Sequence, residues 1–230
     1  MQPQFYEEYS KTKIFQDKLK KTIFQILKIS KENRVMSLYS GGKDSLVVFD
    51  LMLKYCNANL HVFHFDWGPY IPEKIEKELI HNMFIILHDL EQKKNIKLEC
   101  HTFTQKTKDA GGGDEDLFFK NLVETIEKNK IDIVLSSLRA EESIYRKNVL
   151  TQEDYFCGCA DLHIIKEWKT EDIWAYIYSN KLPFLSWYVN NWGNRFSVFL
   201  TEGHTKSMQE CEWFWKADYL LGGINRELKN

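Results

Sequence analysis

Several things that would classify a protein quickly are missing from this sequence. There is no excess of charge: 31 basic and 33 acidic side chains in 230 residues leave a net −2. Proteins whose main work is coating nucleic acid usually carry a strong basic excess, so nucleic acid is not expected as the main partner, although a local basic cleft stays compatible. No apolar run reaches the ~18 residues of a membrane span, and Met1-Gln2-Pro3-Gln4 opens no secretory signal; neither a membrane nor export is expected. No internal repeat or low-complexity tract is present. Cysteines number 5, an odd count without the dense spacing of a disulfide scaffold, so reduced thiols in a cytoplasmic protein are expected. What is plentiful is apolar side chain, 43% of residues, enough for a sizeable core. At ~100–200 residues per domain, the length allows one large domain or one with an added segment.

Hydrophobic spacing divides the chain into three parts. Residues 1–32 read as an N-terminal helical segment, with Phe15, Leu19, Ile23, Ile26 and Leu27 at helical spacing among lysines. Residues 33–185 alternate strand and helix. Val35 to Tyr39 is a strand ended by Ser40-Gly41-Gly42, and the apolar block from Leu46 to Leu53 is too long for one strand and reads as a buried helix. Leu60 to Phe65 is a second strand, followed by a helix from Pro72. Lys97 to Phe103, a Gly111-Gly112-Gly113 loop, a helix from Leu117 to Lys128 and a strand from Ile131 to Leu135 complete the pattern. A further helix starts near Thr170, read as its capping residue, and stops before Pro183. Residues 186–230 are aromatic-rich and aperiodic and read as a C-terminal subdomain packed on the rest. Strands alternating with helices imply an α/β three-layer sandwich with a mainly parallel, doubly wound sheet. Ligands of such sheets bind beyond the carboxyl ends of the strands, where the unusual loops of this chain fall.

Ser40-Gly41-Gly42-Lys43-Asp44-Ser45 joins the first strand to its helix. Glycines let backbone N–H groups approach an anion, the helix start adds unpaired donors and partial positive charge, and Lys43 adds a full charge. The unit is a phosphate cradle by construction, yet it is neither a Walker A loop nor a Gly-x-Gly-x-x-Gly dinucleotide loop. A tight strand-to-helix turn is the plain alternative. The run resembles the signature of the PP-loop ATP pyrophosphatase (adenine nucleotide alpha hydrolase-like) superfamily, whose members bind ATP or adenylyl sulfates.

Three further stretches are similar to one branch of it, the phosphoadenosine phosphosulfate (PAPS) reductase family. Arg139, Ser143 and Arg146 match an Arg-x-x-x-Ser-x-x-Arg element, a pattern whose guanidinium forks suit a sulfate or second phosphate. Asp66-Trp67-Gly68 resembles an Asp-Thr-Gly-like turn, with Trp67 as the departure. Trp168 followed by Asp172-Ile173-Trp174 and Leu182-Pro183 resembles a third segment. The resemblance implies that Ser40, Gly41, Gly42, Lys43, Asp44 and Ser45 cradle phosphate, that Asp66 and Gly68 lie near the adenosine, and that Arg139, Ser143 and Arg146 hold the sulfate or distal phosphate.

It also implies a nucleophilic cysteine in a Glu-Cys-Gly-Ile/Leu-His element. Glu210-Cys211 is present, but Glu212-Trp213 follows, and flanking acids disfavour a thiolate. No cysteine lies between Cys100 and Arg139, so an iron–sulfur cluster of the adenylyl sulfate reductase type is not expected. Cys157 and Cys159 could supply two thiolate ligands or a redox pair, or form an ordinary loop. No histidine is singled out, and no Ser-His-Asp triad is identifiable. Three functions follow from the resemblance. The first is reduction of PAPS or APS to sulfite with thioredoxin or glutaredoxin, through Lys43 and Cys211. The second is adenylyl transfer from ATP, as in ATP sulfurylase small subunits, FAD synthetases or nucleic-acid sulfur-modification enzymes, with Mg²⁺ on Asp44 and Asp66. The third is nucleotide binding without catalysis. No tightly bound cofactor is expected, and a homodimer is compatible with all three.

Overall fold

The computed structural model describes residues 3–56, 60–66, 73–91, 98–104, 115–142, 147, 150, 154–156, 159–186 and 188. Two helices open the chain, α1 (Pro3–Ser10) and α2 (Lys13–Ile29), separated at Thr12, whose side-chain oxygen accepts from the Phe15 N–H and caps α2. Phe15 and Ile26 are buried, whereas Leu27, expected on the same stripe, is 40% exposed because it lies beyond the face that meets the core.

Strand β1 (Val35–Tyr39), helix α3 (Lys43–Tyr55), β2 (Leu60–Asp66), α4 (Glu73–Glu91) and β3 (Leu98–Thr104) follow, then α5 (Glu115–Asn129) and β4 (Ile133–Leu135). The next two strands are β5 (Asp154–Phe156) and β6 (Cys159–Leu162), and α6 (Thr170–Ser179) is last. The sheet order is β3-β2-β1-β4-β6-β5, with every neighbouring pair parallel except the antiparallel pair β5 and β6. The expected α/β doubly wound architecture is therefore present. Strand β6 is an addition to the sequence reading, because Cys-Ala-Asp-Leu is too short and too mixed in polarity to announce itself. The Cys159 end of the expected Cys-x-Cys loop is thus strand, paired with Phe156.

Alternate residues of the sheet face two cores. Val35, Tyr39, Leu60, Val62, Ile133 and Leu135 pack with α2, α3 and α6, while Met36, Phe63, Phe65 and Val134 pack with Phe119, Leu122, Val123 and Ile126 of α5. Helix α3 is buried along most of its length, as its unbroken apolar block required. Its Asp50 carboxylate accepts from the Tyr176 hydroxyl of α6 at 2.6 Å and from Lys54 at 2.6 Å, which sets the rotation of α3 against α6.

The start of α6 differs from expectation. Thr170 is its first helical residue, and the Lys169 N–H before it donates to Asp172 Oδ2 at 2.7 Å. Asp172 is fully buried and also accepts from the Tyr9 hydroxyl and Lys18 Nζ, so one carboxylate ties α1, α2 and α6 together. Helix α6 ends four residues before Pro183, and in the turn that follows Lys181 takes φ 52° and the Leu182 N–H donates to Ile177 O at 3.0 Å. Leu185 and Tyr188 are buried in the same core; the rest of the expected 186–230 subdomain, apart from Ser186, lies outside the described residues, as does the Gly111-Gly112-Gly113 loop. Among the described residues no helix is long and apolar enough to cross a membrane.

Candidate functional site

Strand β1 lies between β2 and β4: the chain runs outward from β1 through β2 to β3, then crosses back to β4 on the other side of β1. Such a switch point opens a crevice at the carboxyl edge, between the loop that leaves β1 and the loop that leaves the adjacent strand. Here those are the Ser40–Ser45 loop and the segment from Ser136 to Glu142.

Gly41 turns the first loop with φ 73°, a left-handed conformation that an L side chain would strain. Gly42 is the N-cap of α3, in extended conformation and without a side-chain cap. The Ser45 hydroxyl closes the loop, accepting from the Ser40 N–H at 3.2 Å and donating to Gly42 O at 3.0 Å, with Ser40 Oγ 3.1 Å away. Both serines, expected to offer donors to an anion, here hold the loop in shape. The Lys43 N–H donates to the Tyr188 hydroxyl at 3.1 Å. Lys43 itself is 3% exposed, with its Nζ 2.8 Å from Asp44 Oδ2 and 5.9 Å from the centre of the Tyr188 ring.

Arg139 comes from the second loop and is equally buried. Its Nε lies 2.7 Å from Asp44 Oδ1, off the N–H direction, so the contact is an ion pair without an aligned hydrogen bond. Its Nη1 donates to Glu141 Oε2 at 2.7 Å and to Trp168 O at 3.3 Å. Glu141 in turn accepts from the Thr170 N–H at 2.7 Å and hydroxyl at 3.0 Å. Burial acts to raise the Glu141 carboxyl, but hydrogen bonds from Thr170 and Arg139 outweigh it and hold the group below its ordinary range. The four side chains Lys43, Asp44, Arg139 and Glu141 form a charge-balanced cluster in which each oxygen of Asp44 already faces one cation.

Asp66 ends β2 on the same edge, beyond His64, whose Nδ1 lies 2.9 Å from Tyr39 O. Gly68, Ser143, Arg146, Cys157 and Cys211 lie outside the described residues. Cys159 is buried, and burial with the Asp161 charge pushes its thiol up to about 12, the opposite of what a thiolate ligand or redox partner requires. Its place at the start of β6, close to Asp161, is the physical reason.

Five residues at or near the site were not singled out in the sequence. Glu141 and Tyr188 complete the coordination of Arg139 and Lys43. At the ends of β4 and β6, Ser136 Oγ lies 2.5 Å from His163 Nδ1, and His163 Nε2 lies 3.8 Å from Asp161 Oδ2. The three side-chain types of a triad are therefore gathered, although the carboxylate is beyond hydrogen-bond distance. Only the pairing of β4 with β6 brings them together, and no local spacing announces it.

Comparison with known proteins agrees with this fold. An uncharacterized protein of Methanocaldococcus jannaschii is 29% identical over 164 residues, which cover 65% of this chain and 32% of that protein's length. NMN synthetase from Francisella tularensis has a similar fold, with TM-score 0.52 at 14% identity, covering 91% of this chain and 87% of that one. The NH3-dependent NAD synthetase from Campylobacter jejuni, solved with nitrate ion, gives TM-score 0.50 at 16% identity over 73% and 74% of the two chains. At these identities the two structures show a shared fold. The model of the phosphoadenosine phosphosulfate reductase domain matches residues 34–193, from the start of β1 past the last described residue. With the loop after β1 and the arginine after β4 both inside that match, the chain belongs to the phosphoadenosine phosphosulfate reductase domain family.

Proposed function

We propose that this chain binds an adenylyl nucleotide bearing a sulfate group, PAPS or APS, at the loop after β1 and reduces that sulfate to sulfite with a thiol donor. One observation carries the reading: Lys43 and Arg139, from loops after adjacent parallel strands, converge on the single carboxylate of Asp44 in a nearly buried crevice. Two cations facing one anion at a helix start is an arrangement that an entering phosphate or sulfate can take over. The misaligned contact between Arg139 Nε and Asp44 Oδ1, and the Tyr188 hydroxyl on the Lys43 N–H, are the interactions such an oxyanion would replace.

In this reading Ser40 to Ser45 hold phosphate, Asp66 and Gly68 lie near the adenosine, and Arg139, Ser143 and Arg146 hold the sulfate or distal phosphate. The Cys211 thiolate attacks the sulfur, its bond to the phosphate oxygen breaks, and the nucleotide leaves with that electron pair. A dithiol of the thioredoxin or glutaredoxin type then attacks the S-sulfocysteine. Sulfite is released, and the two electrons come from closure of the donor's disulfide. Cys211 is the family's nucleophile only by its place in the sequence, since its flanking residues depart from the family pattern.

The two structural neighbours are named as synthetases, so ATP with Mg²⁺ is the competing ligand. The test is a thermal-shift panel with PAPS, APS, their desulfated products, and ATP with Mg²⁺, followed by sulfite release with a reduced dithiol donor. Ligand at about 100 times its dissociation constant stabilises by roughly 2.7 kcal/mol, a shift of a few degrees at this size. Stabilisation by PAPS or APS with sulfite release that Cys211→Ser abolishes is the expected result. Stabilisation by ATP with Mg²⁺ alone would move the chain to adenylyl transfer, and a flat panel to neither.

A further inference from the structure

The register of β2 and β3 gathers a second set of polar groups far from the crevice. His61 lies directly opposite Glu99, and His101 follows Glu99 by two residues on the same face, so all three side chains share the α5 side of the sheet. His61 Nδ1 is 3.2 Å from His101 Nε2 and 3.8 Å from Glu99 Oε2, and the donor atoms of the three all lie within 4.8 Å of one another. His61 is the second residue of β2, and Asp66 is its last. At about 3.3 Å per residue the cluster is therefore roughly 16 Å from the carboxyl edge, outside the nucleotide site.

We propose that His61, Glu99 and His101 form a divalent transition-metal site of the zinc class, which clips the edge strand β3 to β2. Two imidazole nitrogens and one carboxylate are a donor set suited to Zn²⁺. Two nitrogens each about 2.0–2.1 Å from a tetrahedral ion lie about 3.3–3.4 Å apart, close to the spacing the two rings already have. In the metal-free chain that spacing accommodates a single proton shared between the rings, and the ion takes the proton's place. Glu99, whose Oε2 lies 3.8 Å from His61 Nδ1, closes the third position by drawing its carboxylate in toward the ion. It is 36% exposed, so the fourth position and the route of entry face solvent. Lys128, at the end of α5, acts on His101 and opposes a bound cation, and the Glu99 carboxylate offsets it. The site would hold β3, the edge strand of the described sheet, against β2.

The test is cobalt(II) titration of the full chain, with zinc as competitor, read by visible absorption. One equivalent should give the strong d–d absorption of a tetrahedral site without the near-ultraviolet thiolate charge-transfer band. His101→Gln and Glu99→Gln should each weaken binding by at least about tenfold, whereas Cys100→Ser should leave it unchanged. Melting temperature in the presence of a chelator should be nearly the same for Glu99→Gln and the parent, which separates loss of a ligand from loss of fold. If His101→Gln does not fold, the partly exposed Glu99 carries the comparison alone. Absent tetrahedral absorption, a thiolate band, or binding unchanged in Glu99→Gln and His101→Gln would overturn the proposal.

Discussion

Arg139 Nε lies 2.7 Å from Asp44 Oδ1, a contact that joins the loop after β1 to the loop after β4. Both groups are largely removed from water, and each has a second partner of opposite charge, Lys43 for Asp44 and Glu141 for Arg139. Burying an ion pair gives little net stability, because desolvation offsets the attraction, but breaking one leaves an uncompensated charge and costs a great deal. The cluster is therefore sensitive to single substitutions and open to replacement by a charged ligand.

That argument predicts the outcome of a double-mutant cycle. Arg139→Met alone should lower the unfolding free energy by about 3–5 kcal/mol, since Asp44 and Glu141 both lose a cation. Combined with Asp44→Asn, the loss should fall short of the sum of the single losses by about 1–3 kcal/mol. Urea denaturation measures all four corners. Additive losses would mean that the two groups do not interact energetically.

Lys43→Ala tests the anion reading of the first loop. Adenylyl-nucleotide affinity, measured by calorimetry, should drop by at least about tenfold, equivalent to about 1.4 kcal/mol. Unchanged affinity would remove Lys43 from the binding site and leave its pairing with Asp44 as a structural contact.

The Tyr9 hydroxyl donates to Asp172 at 3.0 Å, and its pKa is pushed up to about 12, first by burial and then by the Asp172 carboxylate. The unfolded phenol titrates near 10. A raised folded value means that the folded state holds the proton more tightly. Its contribution is complete below about pH 10 and is lost as pH rises through about 12. Melting temperature should thus fall more steeply over that window in the parent than in Tyr9→Phe. Parallel curves would show that this hydroxyl does not couple to folding.

Thiol reactivity should separate two cysteines on opposite halves of the sheet. Cys100 is exposed on edge strand β3, whereas Cys159 is buried and its thiol is pushed up to about 12 by burial and Asp161. Iodoacetamide at mildly alkaline pH, followed by peptide mass spectrometry, should label Cys100 in the native protein and Cys159 only after denaturation. Native labelling of Cys159 would mean that the β5–β6 hairpin opens readily.

Much of the candidate site was legible because its signals are local. The βα order of β1, α3 and β2 follows from hydrophobic periodicity, and Gly41 at φ 73° does what a glycine in a strand-to-helix turn is expected to do. Arg139 carried a recognisable pattern, and it lies against Asp44 of the loop after β1. The reading failed where a residue's role depends on distant chain. Thr170 looked like a cap but supports Glu141, while Asp172, two residues on, bonds the Lys169 N–H. Cys159 looked like loop but starts a strand, since β4 and β5 on either side supply the partners that make four mixed residues into sheet.

The sequence by itself determined the alternation of strands and helices, the glycine turn at Ser40–Ser45 and the family, because each rests on patterns within a few neighbouring residues. Tertiary structure alone decided which side chains meet across the sheet. The order β3-β2-β1-β4-β6-β5 sets Arg139 against Asp44, and the register of β2 on β3 sets His61 against Glu99 and His101. Packing of the segment after α6 onto the same core brings the Tyr188 hydroxyl to the Lys43 N–H. Parallel strands are joined by long crossovers, so the residues that become neighbours are far apart in the chain, and no local spacing records their meeting.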